Sequence, residues 1–275
     1  MVEAYFPENL PEALRILGDE DVIPYAGGTD IMVGKSFKKP FLYLDKISEL
    51  KKVENLEGKI RIGACSTYAA LLRDERIPKV LKESIRQIAS PSIRNLGTIG
   101  GNICNASPAG DTLPILYALN AYLRLESENG FREIPIREFI TGVKKTARET
   151  SWLLTEIIIP SGEYEYSYQK VGARRAQAIA KLSFVGIHEL TAGIVSDIRI
   201  AFGAVGTTVL RDQKAEKELI GKKASDIDIP ATIQYYEKII RPIDDQRSEA
   251  VYRKTVCLNI LREYLENELT EGNRQ

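Results

Sequence analysis

Residues Ile93 to Asp111 hold the densest run of small and turn-forming residues in the chain, and Gly97, Gly100 and Gly101 fall within five positions of one another. Glycine removes the side chains that would hold an anion away from the backbone, and it reaches angles at which successive N–H groups converge on that anion. A second loop of this type, Tyr25-Ala26-Gly27-Gly28-Thr29-Asp30-Ile31, follows the short run Asp21-Val22-Ile23-Pro24, which reads as a strand feeding a tight turn. A pair of cradles suits a ligand with two phosphates. Such a pyrophosphate would lie between the amides of Ala26 to Ile31 and those from Thr98 through Ile99, Gly100, Gly101 and Asn102. The Thr29 and Thr98 hydroxyls would add donors. Neither loop matches G-x-G-x-x-G or G-x-x-x-x-G-K-[ST], so an ordinary dinucleotide fold or P-loop loses its main support. Taken singly, each loop is equally well a glycine turn joining strand to helix. Asp111 immediately precedes an apolar run of helical length, Thr112 to Leu119, and can cap it, bind ligand, or do both.

Composition narrows what such a ligand site can serve. The chain of 275 residues balances 38 basic against 38 acidic side chains, so there is no global field to draw in nucleic acid or an anionic membrane surface. No apolar segment reaches the roughly 18 to 20 residues needed to cross a bilayer, and Met1 to Pro7 has neither a basic region nor a hydrophobic signal core. A cytoplasmic protein is expected. Cys65, Cys104 and Cys257 are too few and too scattered for a disulfide framework or a four-thiolate cluster. Cys104 reads as a small residue in a crowded turn. His188 is the sole histidine and sits on an alternating, strand-like stretch, so it is assigned no chemistry, and no metal site is expected.

The elements that must position the loops follow from periodicity. Pro7 to Gly18 reads as a helix, Phe41 to Leu44 and Lys59 to Gly63 as strands, and Ser66 or Thr67 as the cap of a helix through Arg73. Ala121 to Glu126 and Phe131 to Ile134 flank Asn129-Gly130 as a hairpin, and Trp152 to Ile159 is a strand closed by Pro160. Beyond Gly162, strands are expected at Tyr164 to Val171, Ile179 to Leu190 and Ile194 to Val205. Helices follow at Leu210 to Ile220, Ala231 to Ile239 and Ser248 to Glu268. Strands followed by helices suggest a separate α+β domain. Val251, Val256, Leu258, Leu261, Tyr264 and Leu265 are the expected core face of the last helix, and Thr270 to Gln275 reads as a polar tail.

Ala26-Gly27-Gly28-Thr29-Asp30, Thr98-Ile99-Gly100-Gly101-Asn102, the Ala106-Ser107-Pro108 to Asp111 run, the Lys170/Arg174/Ile179-Ala180 pattern and Tyr252-Arg253-Lys254 together resemble the FAD-binding medium subunit of the xanthine dehydrogenase and carbon monoxide dehydrogenase family of molybdenum hydroxylases. The resemblance covers nearly the whole chain. It implies an α+β fold: a two-lobed FAD-binding domain of the vanillyl-alcohol-oxidase-like (PCMH) type over 1–162, with lobes of about 1–57 and 58–162. A smaller α+β domain of the carbon monoxide dehydrogenase flavoprotein type would follow over 163–275. The implied cofactor contacts are Pro24, Tyr25, Ala26, Gly27, Gly28, Thr29, Asp30 and Ile31, with Thr98, Ile99, Gly100, Gly101 and Asn102. Ile88 and Leu154 would lie near the flavin ring, Asp111 would accept from a ribose or ribityl hydroxyl, and Lys170 would stand near the pyrimidine end of the ring. No catalytic residue acting on an organic substrate is implied.

The resemblance also implies partners. Molybdopterin would lie in a large subunit and 2Fe-2S clusters in a small subunit, the whole forming a dimer of heterotrimers. In that arrangement electrons pass through FAD to an external acceptor such as NAD, a quinone or ferredoxin. The hydroxybenzoyl-CoA reductase branch carries an extra cysteine-rich loop that this sequence lacks. The alternative is a self-sufficient flavin oxidase of the wider superfamily, against which stand the missing flavin-attachment histidine and the missing length for a substrate domain.

Overall fold

The computed structural model of the chain describes residues 4–33, 37–174 and 176–269, so the expected polar tail Thr270 to Gln275 lies outside the described residues. The chain divides into two compact units. Met1–Ser107 and Leu119–Ser161 form the first, and Pro108–Ala118 and Gly162–Gln275 form the second.

The first unit opens with β1 (Ala4–Tyr5), α1 (Leu10–Asp19), β2 (Ile23–Tyr25) and β3 (Phe41–Tyr43), the strands forming a parallel sheet in the order β1-β3-β2. Asn9 sets the start of α1 at Leu10 rather than Pro7, because its Oδ1 accepts from the Glu12 amide at 3.0 Å. Ala13, Leu14, Ile16 and Leu17 form the buried face of that helix, packed with Leu42, Leu44, Ile47 and Leu50. β4 (Val53–Leu56) and β5 (Lys59–Gly63) pair through Glu57 and Gly58, whose φ values of 53° and 71° match the twist of a two-residue hairpin.

Short helices follow: α2 (Tyr68–Arg73), capped by the Thr67 hydroxyl, then α3 (Lys79–Arg86), α4 (Pro91–Leu96) and α5 (Ile99–Asn105). Next in the chain comes α6 (Leu113–Ala118), which belongs to the second unit. The first unit resumes with β6 (Tyr122–Ser127), β7 (Gly130–Pro135), α7 (Ile136–Phe139), the small hairpin β8 (Ile140–Gly142) and β9 (Lys145–Thr146), and β10 (Leu153–Pro160). The β6–β7 turn is Glu128-Asn129, one residue earlier than the sequence indicated, since Gly130 already pairs with Ser127. β10 inserts at the centre of an antiparallel sheet in the order β4-β5-β10-β6-β7. That position explains its nearly unbroken apolar sequence, Leu153-Leu154-Thr155 and Ile157-Ile158-Ile159 being buried.

The second unit is built on β11 (Glu165–Val171), β12 (Leu182–Thr191), β13 (Ile194–Gly203) and β14 (Leu210–Arg211), antiparallel in that order. α8 (Gln213–Leu219), α9 (Ile229–Ile239) and α10 (Ala250–Glu263) follow, and α10 runs into a π-helical turn at Tyr264–Leu269. Every residue of α6 is buried, as expected of a helix that is apolar on all sides. Its last carbonyls, of Tyr117 and Ala118, accept from the guanidinium groups of Arg211 and Arg199. Arg211 is in turn paired with the buried Glu216, whose Oε1 also accepts the Ile200 amide at 2.8 Å.

Three expectations are corrected here. Leu210–Arg211 is a strand rather than the start of a helix, because Asp212 caps α8 by accepting the Lys214 and Ala215 amides. β12 begins at Leu182 rather than Ile179. Val251 is 75% exposed, because the inward face of α10 is set by Arg253, Cys257, Ile260 and Leu261, and Val251 stands about 200° round the helix from Arg253.

Arg253 is buried and donates from Nη2 to Asp245 Oδ1 at 2.6 Å. That bond lowers the Asp245 carboxyl to about 2. A carboxyl held below its unfolded value contributes stability that is complete above the ordinary carboxylate range and disappears as pH falls through the folded value. The stability advantage of the wild type over Asp245→Asn should therefore shrink between about pH 4 and pH 2, measured by urea unfolding of the full chain. A gap that stays constant over that range would contradict the assignment.

Candidate cofactor site

A cavity of about 580 Å³ opens within the first unit, and both glycine loops line it. From the first loop come Pro24, Ala26, Gly27, Gly28, Thr29, Asp30 and Ile31, and from the second Thr98, Gly100, Gly101 and Asn102. Ile88 and Leu154 also reach it, giving the wall an apolar patch.

The first loop forms because the β2–β3 pairing runs out: Leu44 N donates to Tyr25 O at 2.9 Å, and beyond that point the chain turns away through Gly28 at φ +70°. The turn is closed by Met32 N to Gly28 O at 3.0 Å and Val33 N to Asp30 O at 3.1 Å. Among the described residues, no acceptor takes the amides of Gly27, Gly28, Thr29 or Asp30. Buried or partly buried N–H groups rarely stay without a partner, so a row of them on a cavity wall is a ready anion cradle.

The second loop differs from its sequence reading. Its amides are already committed: Ile99 N to Ser66 O at 3.2 Å, Gly100 N to Ala64 O at 2.9 Å, Gly101 N to Thr98 Oγ1 at 3.1 Å and Asn102 N to Thr98 O at 3.1 Å. The glycines serve close packing of backbone on backbone. A Cβ on Gly100 would stand 2.6 Å from Ala64, and one on Gly27 would stand 1.8 Å from the Leu96 carbonyl oxygen. The Thr98 hydroxyl accepts from Gly101 and retains its own proton to donate.

Of the contacts expected within the first unit, two fall outside the lining. Ile99 is fully buried, and its amide is spent on Ser66. Tyr25 supports the cradle from behind, with its ring 4.6 Å from that of Tyr43 and its hydroxyl against Gly28.

Conversely, Arg148 lines the cavity without having been expected there. Its Nη1 donates to the carbonyls of Glu149, Thr150 and Trp152 at 3.3, 3.2 and 2.8 Å, which fixes a cation on the wall. The basic run Lys144-Lys145 followed by Arg148 is the one trace of this in the sequence. Cys65 and Cys104 also line the cavity, and burial pushes the Cys65 thiol up to about 12, leaving it neutral.

Asp111 and Lys170 lie in the second unit and make one ion pair, Lys170 Nζ to Asp111 Oδ2 at 2.7 Å, with side chains 6% (Lys170) and 11% (Asp111) exposed. Burial raises the Asp111 carboxyl, and the lysine opposes that rise. Arg174 is exposed and donates to Ala176 O and Gln177 O, shaping its own loop.

Residues 1–162 match the family described as the FAD binding domain in molybdopterin dehydrogenase, and residues 167–267 match the CO dehydrogenase flavoprotein C-terminal domain. Fold and site are thus those of a flavoprotein with an FAD-binding domain of this α+β class. The chain is 33% identical over 259 residues to the glyceraldehyde dehydrogenase medium chain of Sulfolobus acidocaldarius, covering 90% of this chain and 92% of that one. It is 28% identical to the carbon monoxide dehydrogenase medium chain of Hydrogenophaga pseudoflava, with 96% and 95% covered. The solved carbon monoxide dehydrogenase from that organism superposes with a TM-score of 0.90 at 26% identity, over 98% of this chain and 97% of the other. The chain belongs to the FAD-binding medium subunits of the molybdenum hydroxylase family, with FAD as its cofactor. The cavity fits that group, since unshared amides, a threonine hydroxyl and an immobilised guanidinium suit a pyrophosphate, and the apolar patch suits a ring.

Removing one member of a buried ion pair strands the other, whereas replacing both with apolar residues does not. Lys170→Met should therefore cost about 3 kcal/mol in urea unfolding, and Asp111→Leu combined with Lys170→Met should recover most of it. Equal losses in the single and double variants would count against the pair as drawn.

Proposed function

We propose that the chain is the electron-transfer subunit of a molybdenum hydroxylase complex. Partner subunits carry molybdopterin and 2Fe-2S clusters, and the assembly is a dimer of heterotrimers in the cytoplasm. The observation that carries this reading is the row of unshared amides at Gly27 to Asp30 on a cavity of about 580 Å³. FAD accepts electrons singly and releases them in pairs, which suits it to join one-electron clusters to an acceptor such as NAD or a quinone.

This chain's residues bind and tune. In this reading residues 1–162 form the cofactor domain and 163–275 the flavoprotein C-terminal domain. The first loop donates backbone N–H groups to the pyrophosphate, and the Thr29 and Thr98 hydroxyls and Asn102 complete the polar wall. Ile88 and Leu154 exclude water from the apolar part of the cavity. Asp111 accepts from a sugar or ribityl hydroxyl. Lys170 supplies a cation that raises the cofactor's reduction potential.

Support comes from the relatives, which carry names of the same kind: one is a nicotinate dehydrogenase FAD-subunit from Eubacterium barkeri, 30% identical over 268 residues. Among the described residues no helix is long and apolar enough to cross a membrane.

The full chain titrated with FAD should develop a flavin absorbance spectrum at one equivalent. Co-expression with molybdopterin-binding and 2Fe-2S subunits should give a complex in which the flavin is reduced through the clusters. Lys170→Met should lower the flavin midpoint potential by on the order of 30 mV, the two-electron equivalent of about 1.4 kcal/mol. A wild-type chain that acquires no flavin, alone or in the complex, would refute the reading.

A further inference from the structure

The hairpin β8–β9 carries a residue that touches both glycine loops at once. Lys144 sits at its turn with φ +56°, and its Nζ donates to Asn105 Oδ1 at 2.6 Å and to Asp30 Oδ2 at 3.3 Å. Its amide donates to the Ala106 carbonyl at 2.9 Å, and Ala106 is itself left-handed at φ +46°. A backbone hydrogen bond between two residues in this uncommon conformation sets the hairpin tip firmly against the end of α5. From there the lysine reaches across to the first loop.

Asp30 presents a difficulty for an anion site. It lines the cavity in sequence with Gly27, Gly28 and Thr29, whose amides are unshared, and it is the one acid among the described lining residues. A pyrophosphate in that cradle would meet like charge on its own wall. Arg148, the other charged residue among the described lining residues, is held by the carbonyls of Glu149, Thr150 and Trp152. The cation that does reach Asp30 is Lys144.

We infer that Lys144 is a positioning residue of the cofactor site: it cancels the charge of Asp30 and ties the first loop to the end of α5, so that the cradle accepts a pyrophosphate. This rests on the reading that the cavity holds the FAD pyrophosphate. The pair is exposed, the side chains of Lys144 and Asp30 being 57% and 63% accessible, so it adds little to stability. Its effect lies in binding, where the charge it removes stands beside the incoming anion.

The test is a set of FAD titrations of the full chain, followed by flavin fluorescence, with thermal unfolding recorded in parallel. Lys144→Met should weaken FAD binding about tenfold at low ionic strength with little change in melting temperature, and the loss should shrink as salt is raised. Lys144→Arg should bind nearly as the wild type does. Asp30→Asn added to Lys144→Met should restore most of the affinity, because no carboxylate then needs cancelling. A Lys144→Met chain that binds FAD as tightly as wild type, or a double variant as weak as Lys144→Met alone, would overturn the inference while leaving the cavity assignment standing. Failure of the wild-type chain to bind FAD would overturn both.

Discussion

The cofactor site depends on one constraint, that a backbone N–H near a protein interior must find an acceptor. Four consecutive amides, from Gly27 to Asp30, find none among the described residues. In the second loop the same constraint is met internally, each amide from Ile99 to Asn102 reaching a carbonyl or the Thr98 hydroxyl. The two loops therefore do different work although their sequences look alike. One keeps its amides unshared, and the other is a wall whose hydrogen bonds fix the frame in which the first is held.

The frame itself is built by close approach. Gly27 lies against the Leu96 carbonyl, and Gly100 lies against Ala64, each at a distance no side chain could occupy. Ala64 is also tied to the central strand of the large sheet, its amide donating to Thr155 O at 2.8 Å. A path of backbone contacts thus runs from β10 through Ala64 to the start of α5, independent of any flexible side chain. Preorganisation of this kind keeps the donors in place before the ligand arrives, so less ordering is needed on binding.

Much of this was legible in the sequence, and the gaps have physical reasons. Gly27-Gly28 and Gly100-Gly101 fall on the cavity wall, because glycine at such density is needed only where backbone must come close to something. What it comes close to could not be read: a gap left for phosphate and a gap left for a neighbouring carbonyl require the same residue. Asn9, Thr67 and Asp212 cap helices by local side-chain bonds, and two of these were missed because a polar residue before an apolar run is common outside caps as well. Arg148 was missed for a different reason. Its position on the wall comes from the carbonyls of Glu149, Thr150 and Trp152, a local loop geometry with no periodicity to betray it.

Asp111 and Lys170 show the limit from the other side. As separate residues they pointed to an acceptor and a cation, and 59 positions separate them in the chain. Folding joins them because the segment Pro108–Ala118 leaves the first unit and packs with the second, where its apolar helix is buried and its terminal carbonyls are taken by Arg211 and Arg199. Burial raises the Asp111 carboxyl, and the lysine beside it opposes that rise. Held at 2.7 Å, the carboxylate and the ammonium depend on the same bond, so removing either leaves the other buried without this counter-ion. A substitution at either position therefore acts on both residues, which makes the pair, rather than either residue, the structural unit.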